Sequence, residues 1–202
     1  MLQLWGIFCK FGTTFATKCL MKKLVYIFVF AALTSVSGFA QEINWVTLEK
    51  AMELQKKKPK KIMMDVYTNW CGPCKMLDKN TFQTADVANY VNENYYAVKF
   101  NAEGNETINY KGKVYSNPGY NPELASRRNS AHSLAQFLQI QAYPTIVFMD
   151  EKGDVIAPIR GYQTPPQLEL YLKMFKADEH KGIDTQEKFN AYYTAFKPQF
   201  KG

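Results

Sequence analysis

The stretch "NWCGPCKML", Asn69 to Leu77, holds two cysteines with two residues between them, directly behind a tryptophan. Taken alone, this spacing suits a redox pair, a short structural disulfide or half of a metal site. Its flanks say more. "KIMMDVYT", Lys61 to Thr68, is a short apolar run with β-branched and aromatic members, and it reads as a buried strand that ends at the cysteines. Helical periodicity follows at Cys74–Lys79 and Ala85–Val91, and "YYAVKFNAE" supplies a second strand at Tyr95–Asn101. Strand, helix and strand in that order form a βαβ unit, whose two strands run parallel.

A cysteine placed where a strand ends and a helix begins meets unpaired backbone N–H groups and the positive end of the helix dipole. Both favour a thiolate at Cys71, and only the thiolate attacks a disulfide, so Cys71 is the candidate nucleophile. Cys74 lies nearly one helical turn further on, within reach of the Cys71 sulfur, and is the candidate resolving thiol. Gly72 lets backbone approach closely, and Pro73 suits a first helical turn, where its missing N–H costs little. Structural zinc needs four ligands, and neither His132 nor His180, the only histidines, has a spacing that completes such a set. No metal and no cofactor are expected. A permanent structural disulfide across so short a loop would constrain little of the chain.

Elsewhere the pattern is of one domain with additions. "TLEKAMELQKKK" places Leu48, Ala51, Met52 and Gln55 at helical spacing behind Thr47, a cap residue. The lysines at 56–58, 60 and 61 surround Pro59 and read as a solvated turn; no aromatic interleaving marks a nucleic-acid surface. From Gly104 to Ser133 the composition turns to Gly, Asn, Pro, Tyr and charge, an insert of a length unusual in a compact domain unless functional. Within it "YKGKVY" reads as a small hairpin, and "SLAQFLQI" as a short helix after it, with His132 in the loop or at the helix cap. "YPTIVFMD" and "VIAPIRGY" form a hairpin turned at Lys152 and Gly153. "PPQLELYLKMF" is an amphipathic helix with Leu168, Tyr171, Leu172 and Phe175 on one face. "TQEKFNAYYTAF" is a last helix, with Asp184 as expected cap and Glu187 three residues on.

The cysteine motif and its surroundings resemble the thioredoxin family, whose active site carries the same Trp-Cys-Gly-Pro-Cys-Lys string. The resemblance covers about residues 45–176. Asp65, six residues before Cys71, resembles the family's buried aspartate that handles the proton of the second cysteine. Lys99 is similar to the partner lysine on the next strand. Pro144 in "YPT" resembles the cis-proline that packs on the active-site disulfide and aligns substrate, and Gly161 falls where the family also has a glycine. The resemblance implies a thioredoxin-like three-layer α/β/α sandwich with a central mixed sheet, here with a long insert and an extra C-terminal helix. It implies catalysis by Cys71, Cys74, Asp65 and Lys99, and a substrate-facing surface of Trp70, Gly72, Pro73, Tyr143 and Pro144. Three departures stand out: Tyr143 where cytosolic thioredoxins carry a smaller aliphatic residue, Asn69 and Tyr67 in the approach to the cysteines, and the insert. Strand ends in a parallel sheet share one side, so the insert starts near the active-site face.

Composition sets the compartment question. Apolar residues at 47% are ample for a core, so disorder is expected only at the ends. The formal charge is +7, but Lys10, Lys18, Lys22 and Lys23 precede residue 41 without any acid, so +7 minus these four leaves +3 for the remainder. Met21 begins a secretory pattern: Lys22 and Lys23, the apolar run "LVYIFVFAALTSV" at Leu24–Val36, then the small-residue exit "SGFA". That run is short against the roughly 20 residues of a membrane crossing. Expected, then, are a signal peptide at 1–40 (with Met21 as the expected true start), a thioredoxin-like domain at 41–178 with its insert at 104–133, and a C-terminal helical extension at 179–202. Cleavage after Ala40 would remove Cys9 and Cys19 and leave Cys71 and Cys74 alone in an oxidising periplasmic or extracellular space, with no stable membrane insertion.

The expected activity is that of an exported thiol:disulfide oxidoreductase. The Gly-Pro dipeptide resembles that of reducing family members, so net reduction of a disulfide-containing protein substrate is expected. The upstream electron donor would resemble a thiol:disulfide interchange protein. A redox-sensing adaptor, or an isomerase or oxidase of the same fold, are the alternatives.

Overall fold

The computed structural model describes residues 42–201; the secretory pattern, Cys9 and Cys19 lie outside them. Strand β1 (Trp45–Val46) leads into helix α1 (Leu48–Lys57), which Thr47 caps by accepting the N–H of Lys50 at 3.2 Å. Strand β2 (Lys61–Tyr67) is followed by α2 (Gly72–Leu77), a wide π turn at Asp78–Phe82, α3 (Ala85–Asn94) and β3 (Tyr95–Asn101). The insert contributes the hairpin β4 (Ile108–Tyr110) and β5 (Lys113–Tyr115) and a single 3-10 turn at Pro122–Leu124, and leads into α4 (Ser133–Phe137). Then come β6 (Thr145–Met149), β7 (Val155–Arg160), α5 (Pro165–Lys176), a 3-10 turn at Glu179–Gly182 and α6 (Gln186–Ala195).

The main sheet has the order β1-β3-β2-β6-β7, with β1, β3 and β2 parallel and β6 and β7 antiparallel. Strand β2 sits at the centre, and all its residues except Tyr67 are buried, which is why its sequence shows an apolar run instead of alternation. Alternate residues of each strand supply the two faces. Met63, Ala97, Ile146 and Phe148 face α3 and α5, while Ile62, Met64, Val98 and Val147 face α1, α4 and the β4–β5 hairpin. Helix, sheet and helix make the three-layer sandwich that the sequence implies. Between β6 and β7, Gly153 takes a positive φ of 76°, a conformation glycine adopts freely.

Three expectations need correction. The basic turn is solvated only in part: Lys61 is 2% exposed, with its ammonium 2.7 Å from Glu151 and 3.0 Å from Asp178. Its charge is tolerated there because two carboxylates from distant segments meet it. The short helix α4 ends at Phe137, three residues before the expected Ile140, with Leu138 as its C-cap. The last helix is capped by Thr185, whose hydroxyl accepts the N–H of Lys188; Asp184 instead pairs with the Lys188 ammonium at 2.7 Å.

After α6 the chain turns back onto α3 and α5. Gln199 and Phe200 donate their N–H groups to one oxygen of Glu169 at 2.6 and 2.7 Å, and Lys201 donates to Asp86 at 2.8 Å. Glu169 itself is fully buried, and Lys173 lies 2.6 Å from its other oxygen, a charge contact without hydrogen-bond geometry.

Candidate active site

Strand β2 delivers Asp65 and ends in a turn that carries Thr68, Asn69 and Trp70 to the start of α2. Cys71 is the N-cap residue of α2, extended at φ −72° and ψ 106°, and its sulfur accepts the N–H of Cys74 at 3.1 Å. Pro73 occupies the first helical turn, and Gly72 and Pro73 are both exposed. Cys71 and Cys74 are joined in a disulfide with an S–S distance of 2.07 Å. Cys71 is 2% exposed and Cys74 5%. The motif that in sequence reads as an open helix start is thus closely covered, and the residues around it decide what reaches the sulfur.

Asp65 is also 2% exposed. Burial pushes its carboxyl up to about 7, Lys99 opposes the rise, and Asp78 adds to it. Asp65 and Lys99 are directly paired across β2 and β3, yet the Lys99 ammonium forms its ion pair with Asp78, in the π turn after α2. It also lies over the rings of Trp45 and Tyr67, 5.1 and 5.6 Å from their centres. Lys99 therefore acts on Asp65 through space. A cavity of about 200 Å³ is lined by Asp65, Thr68, Cys74, Asp78 and Lys99 among others, so the buried carboxyl and the second cysteine share one space. One Asp65 oxygen and the Thr68 hydroxyl have no hydrogen-bond partner among the described residues.

Across the cysteines, the Tyr143–Pro144 peptide is cis. Pro144 is buried at the entrance to β6, and its carbonyl accepts the N–H of Gly161, which has φ 86°. Tyr143 is half-buried and meets the edge of Trp70, with ring centres 6.0 Å apart. Among the described residues no group of three or more His, Cys, Asp or Glu gathers into a metal site.

Four residues on the other side of Trp70 escaped the sequence reading. Glu103 accepts the indole N–H of Trp70 at 2.7 Å and the backbone N–H of Asn129 at 2.8 Å, both on one oxygen. Asn69 donates to the carbonyl of Ala125 at 2.8 Å, and the Arg128 guanidinium lies 4.8 Å from the Trp70 ring centre. The insert is therefore bound to both residues that precede Cys71. The signal available in sequence was its length and its start beside the active-site face. Its frame comes from Asn117, which donates to the carbonyls of Gly104 and Ser130, and from His132. The latter caps α4 through Nδ1, which accepts the N–H of Leu134, while Nε2 meets the carbonyl of Glu106 at 2.8 Å.

Comparison with known proteins agrees with this geometry. The chain is 26% identical over 144 residues to the thiol:disulfide interchange protein DsbD of Pectobacterium atrosepticum, covering 70% of this chain and 20% of that protein. It thus spans about a fifth of the length of that relative. It is 21% identical over 179 residues to the thiol-disulfide oxidoreductase ResA of Bacillus subtilis, covering 87% of this chain and 97% of the relative. A thioredoxin-fold protein from Helicobacter pylori superposes with a TM-score of 0.51 at 18% identity, over 77% of this chain and 92% of that one. The family model for the thioredoxin-like domain matches residues 48–176, from the first residue of α1 to the last of α5. A disulfide at the cap of α2, a buried carboxyl behind it and this match together make the chain a member of the thioredoxin-like family.

Proposed function

We propose that this protein is an exported thiol:disulfide oxidoreductase that reduces protein disulfides through Cys71 and Cys74. The observation that carries the reading is the cavity shared by Cys74 and Asp65, with Asp65 poised near neutral pH. In the reduced enzyme the Cys71 thiolate attacks one sulfur of a substrate disulfide. That S–S bond breaks, the departing sulfur leaves as a thiolate that takes up a proton, and a mixed disulfide forms on Cys71. Cys74 passes its proton to Asp65 and attacks the Cys71 sulfur, which releases the second substrate thiol and closes the Cys71–Cys74 bond. Two electrons have then moved to the substrate, and an upstream dithiol donor returns them by the same exchange in reverse.

Lys99 tempers the rise at Asp65, since its ammonium is held nearby by Asp78. Trp70, Gly72, Pro73, Tyr143 and Pro144 make the surface that the substrate backbone meets. Export rests on the pattern from Met21 to Ala40, and N-terminal sequencing of the secreted protein is expected to begin at Gln41. No described helix is long and apolar enough to cross a membrane.

The test is reduction of a small disulfide protein by the purified, pre-reduced chain, with turnover sustained by a dithiol. Turnover should vanish in Cys71→Ser, and Cys74→Ser should accumulate mixed disulfides through Cys71. Turnover that survives Cys71→Ser would refute the proposal, as would a Cys74→Ser protein that traps nothing.

A further inference from the structure

The part of the molecule least explained by exchange chemistry is the crest of the insert. Residues 121–129 form a closed loop: Asn129 accepts the N–H of Asn121 at 2.9 Å and donates to its carbonyl at 2.7 Å. Ser130, next in line, is held by the Asn117 side chain at 2.6 Å. The loop is tied to the active site at Ala125 and Asn129, as described above, so its crest has a fixed position beside Cys71. That crest carries Arg127 and Arg128, both exposed, and neither has a carboxylate within ion-pair distance among the described residues. Glu123 in the same loop is exposed and unpaired with either. Glu103, the acid bonded to the Trp70 indole, is already occupied by Trp70 and Asn129.

The Arg128 guanidinium lies over the indole ring of Trp70, the residue next to Cys71, 4.8 Å from its centre. A guanidinium held over an aromatic ring by cation–π attraction loses part of its freedom, and its N–H fork matches a carboxylate in a way that an ammonium does not. Trp70 and Tyr143 supply the apolar edge beside it.

We propose that Arg127 and Arg128 select polypeptide partners that carry a carboxylate close to the exchanged disulfide. The inference rests on the oxidoreductase reading above and names the substrate class of that site. Opposite charges at such a rim act mainly on the rate of encounter, so the preference should be strong at low salt and fade as salt screens it.

The experiment uses the full chain in its reduced form and three cyclic disulfide peptides that differ only in the two residues flanking the cysteines: Glu, Gln or Lys. Second-order rates of oxidation are compared as ratios within each protein, alongside uncharged hydroxyethyl disulfide, so that any general loss of activity cancels. The native chain should favour the Glu over the Lys peptide by about tenfold at low salt, falling towards unity at high salt. R127E/R128E should reverse the order, and Arg128→Lys should keep the sign but lose most of the preference, because the guanidinium fork is gone. A ratio near one in the native chain overturns the inference, as does a ratio unchanged in R127E/R128E; in both cases Cys71-dependent exchange with hydroxyethyl disulfide leaves the oxidoreductase reading standing. Absence of that exchange with every probe overturns the oxidoreductase reading instead, and the inference with it.

Discussion

The two additions to the thioredoxin core are attached in contrasting ways. The insert bonds to Asn69 and Trp70, directly before Cys71, through Ala125, Asn129 and the shared carboxylate of Glu103. The C-terminal segment bonds to α3 and α5 on the far side of the sheet, through Asp86 and the buried Glu169, and lays Ile183, Phe189, Tyr192 and Phe200 against that core. One addition contacts the chemistry and also packs Ile108, Tyr110 and Tyr115 of its hairpin into the core face beside α1. The other is packed against the core and touches none of the site. The lesson is that both additions help to hold the frame, while only the insert is also placed to alter what reacts.

Asp65 is where stability and chemistry meet, and there the largest effect is expected. Its carboxyl titrates near 3.8 in the unfolded chain and at about 7 when buried in the fold. Between those values the folded chain keeps a proton that the unfolded chain has released, so stability falls as pH rises from about 4 to 7 and is level above. The loss amounts to about 4 kcal/mol. Asp65→Asn should abolish this slope in denaturant titrations and leave the protein more stable at pH 8, while slowing the step in which Cys74 resolves a mixed disulfide. A slope that persists in the variant would place the titration elsewhere.

Next in size is Glu169→Ala. It strands the N–H groups of Gln199 and Phe200 and leaves Lys173 unpaired, and a loss of about 3 kcal/mol is expected. Exchange with hydroxyethyl disulfide should not change. If the rate falls along with the unfolding midpoint, the separation between the two additions fails. The smallest stability effect belongs to Glu103→Ala, at about 1 kcal/mol, since the group is half-buried and its two partners can turn to water. Here the signature is in the rates: exchange with a protein disulfide should slow about fivefold relative to hydroxyethyl disulfide, the kinetic equivalent of about 1 kcal/mol. Equal slowing with both substrates would make Glu103 a purely structural residue.

How far the sequence anticipated all this depends on the range of the interactions. β2 was legible because a central strand covered on both faces needs an uninterrupted apolar run, and "KIMMDVY" is one. The cysteine pair was legible because its chemistry is set by three residues of local spacing and one helix end. The grip of the insert was not, because its ties run from side chains to backbone groups 56 and 26 residues away, at Ala125 and Asn129, and a backbone N–H or carbonyl has no signature in sequence. Lys61 fails through range alone, since the Glu151 carboxylate that meets it lies 90 residues on. The misplaced cap at Asp184 differs: Asp184 and Thr185 are both good caps, and which one serves depends on where the backbone enters the helix, a choice of one residue that tertiary packing makes.

The mutual bonds of Asn121 and Asn129 act as the neck of a cassette. Because the loop closes on itself there, the residues between can change in number and kind while the sheet keeps its register and Cys71 and Cys74 keep their place at the start of α2. Between Asp65 and Cys71 there is no such neck, and a single added residue would turn the strand over or carry the cysteine off its helix. A lineage that carries this protein can therefore redraw its circle of partners by editing the crest alone, with the electron-transfer unit inherited untouched.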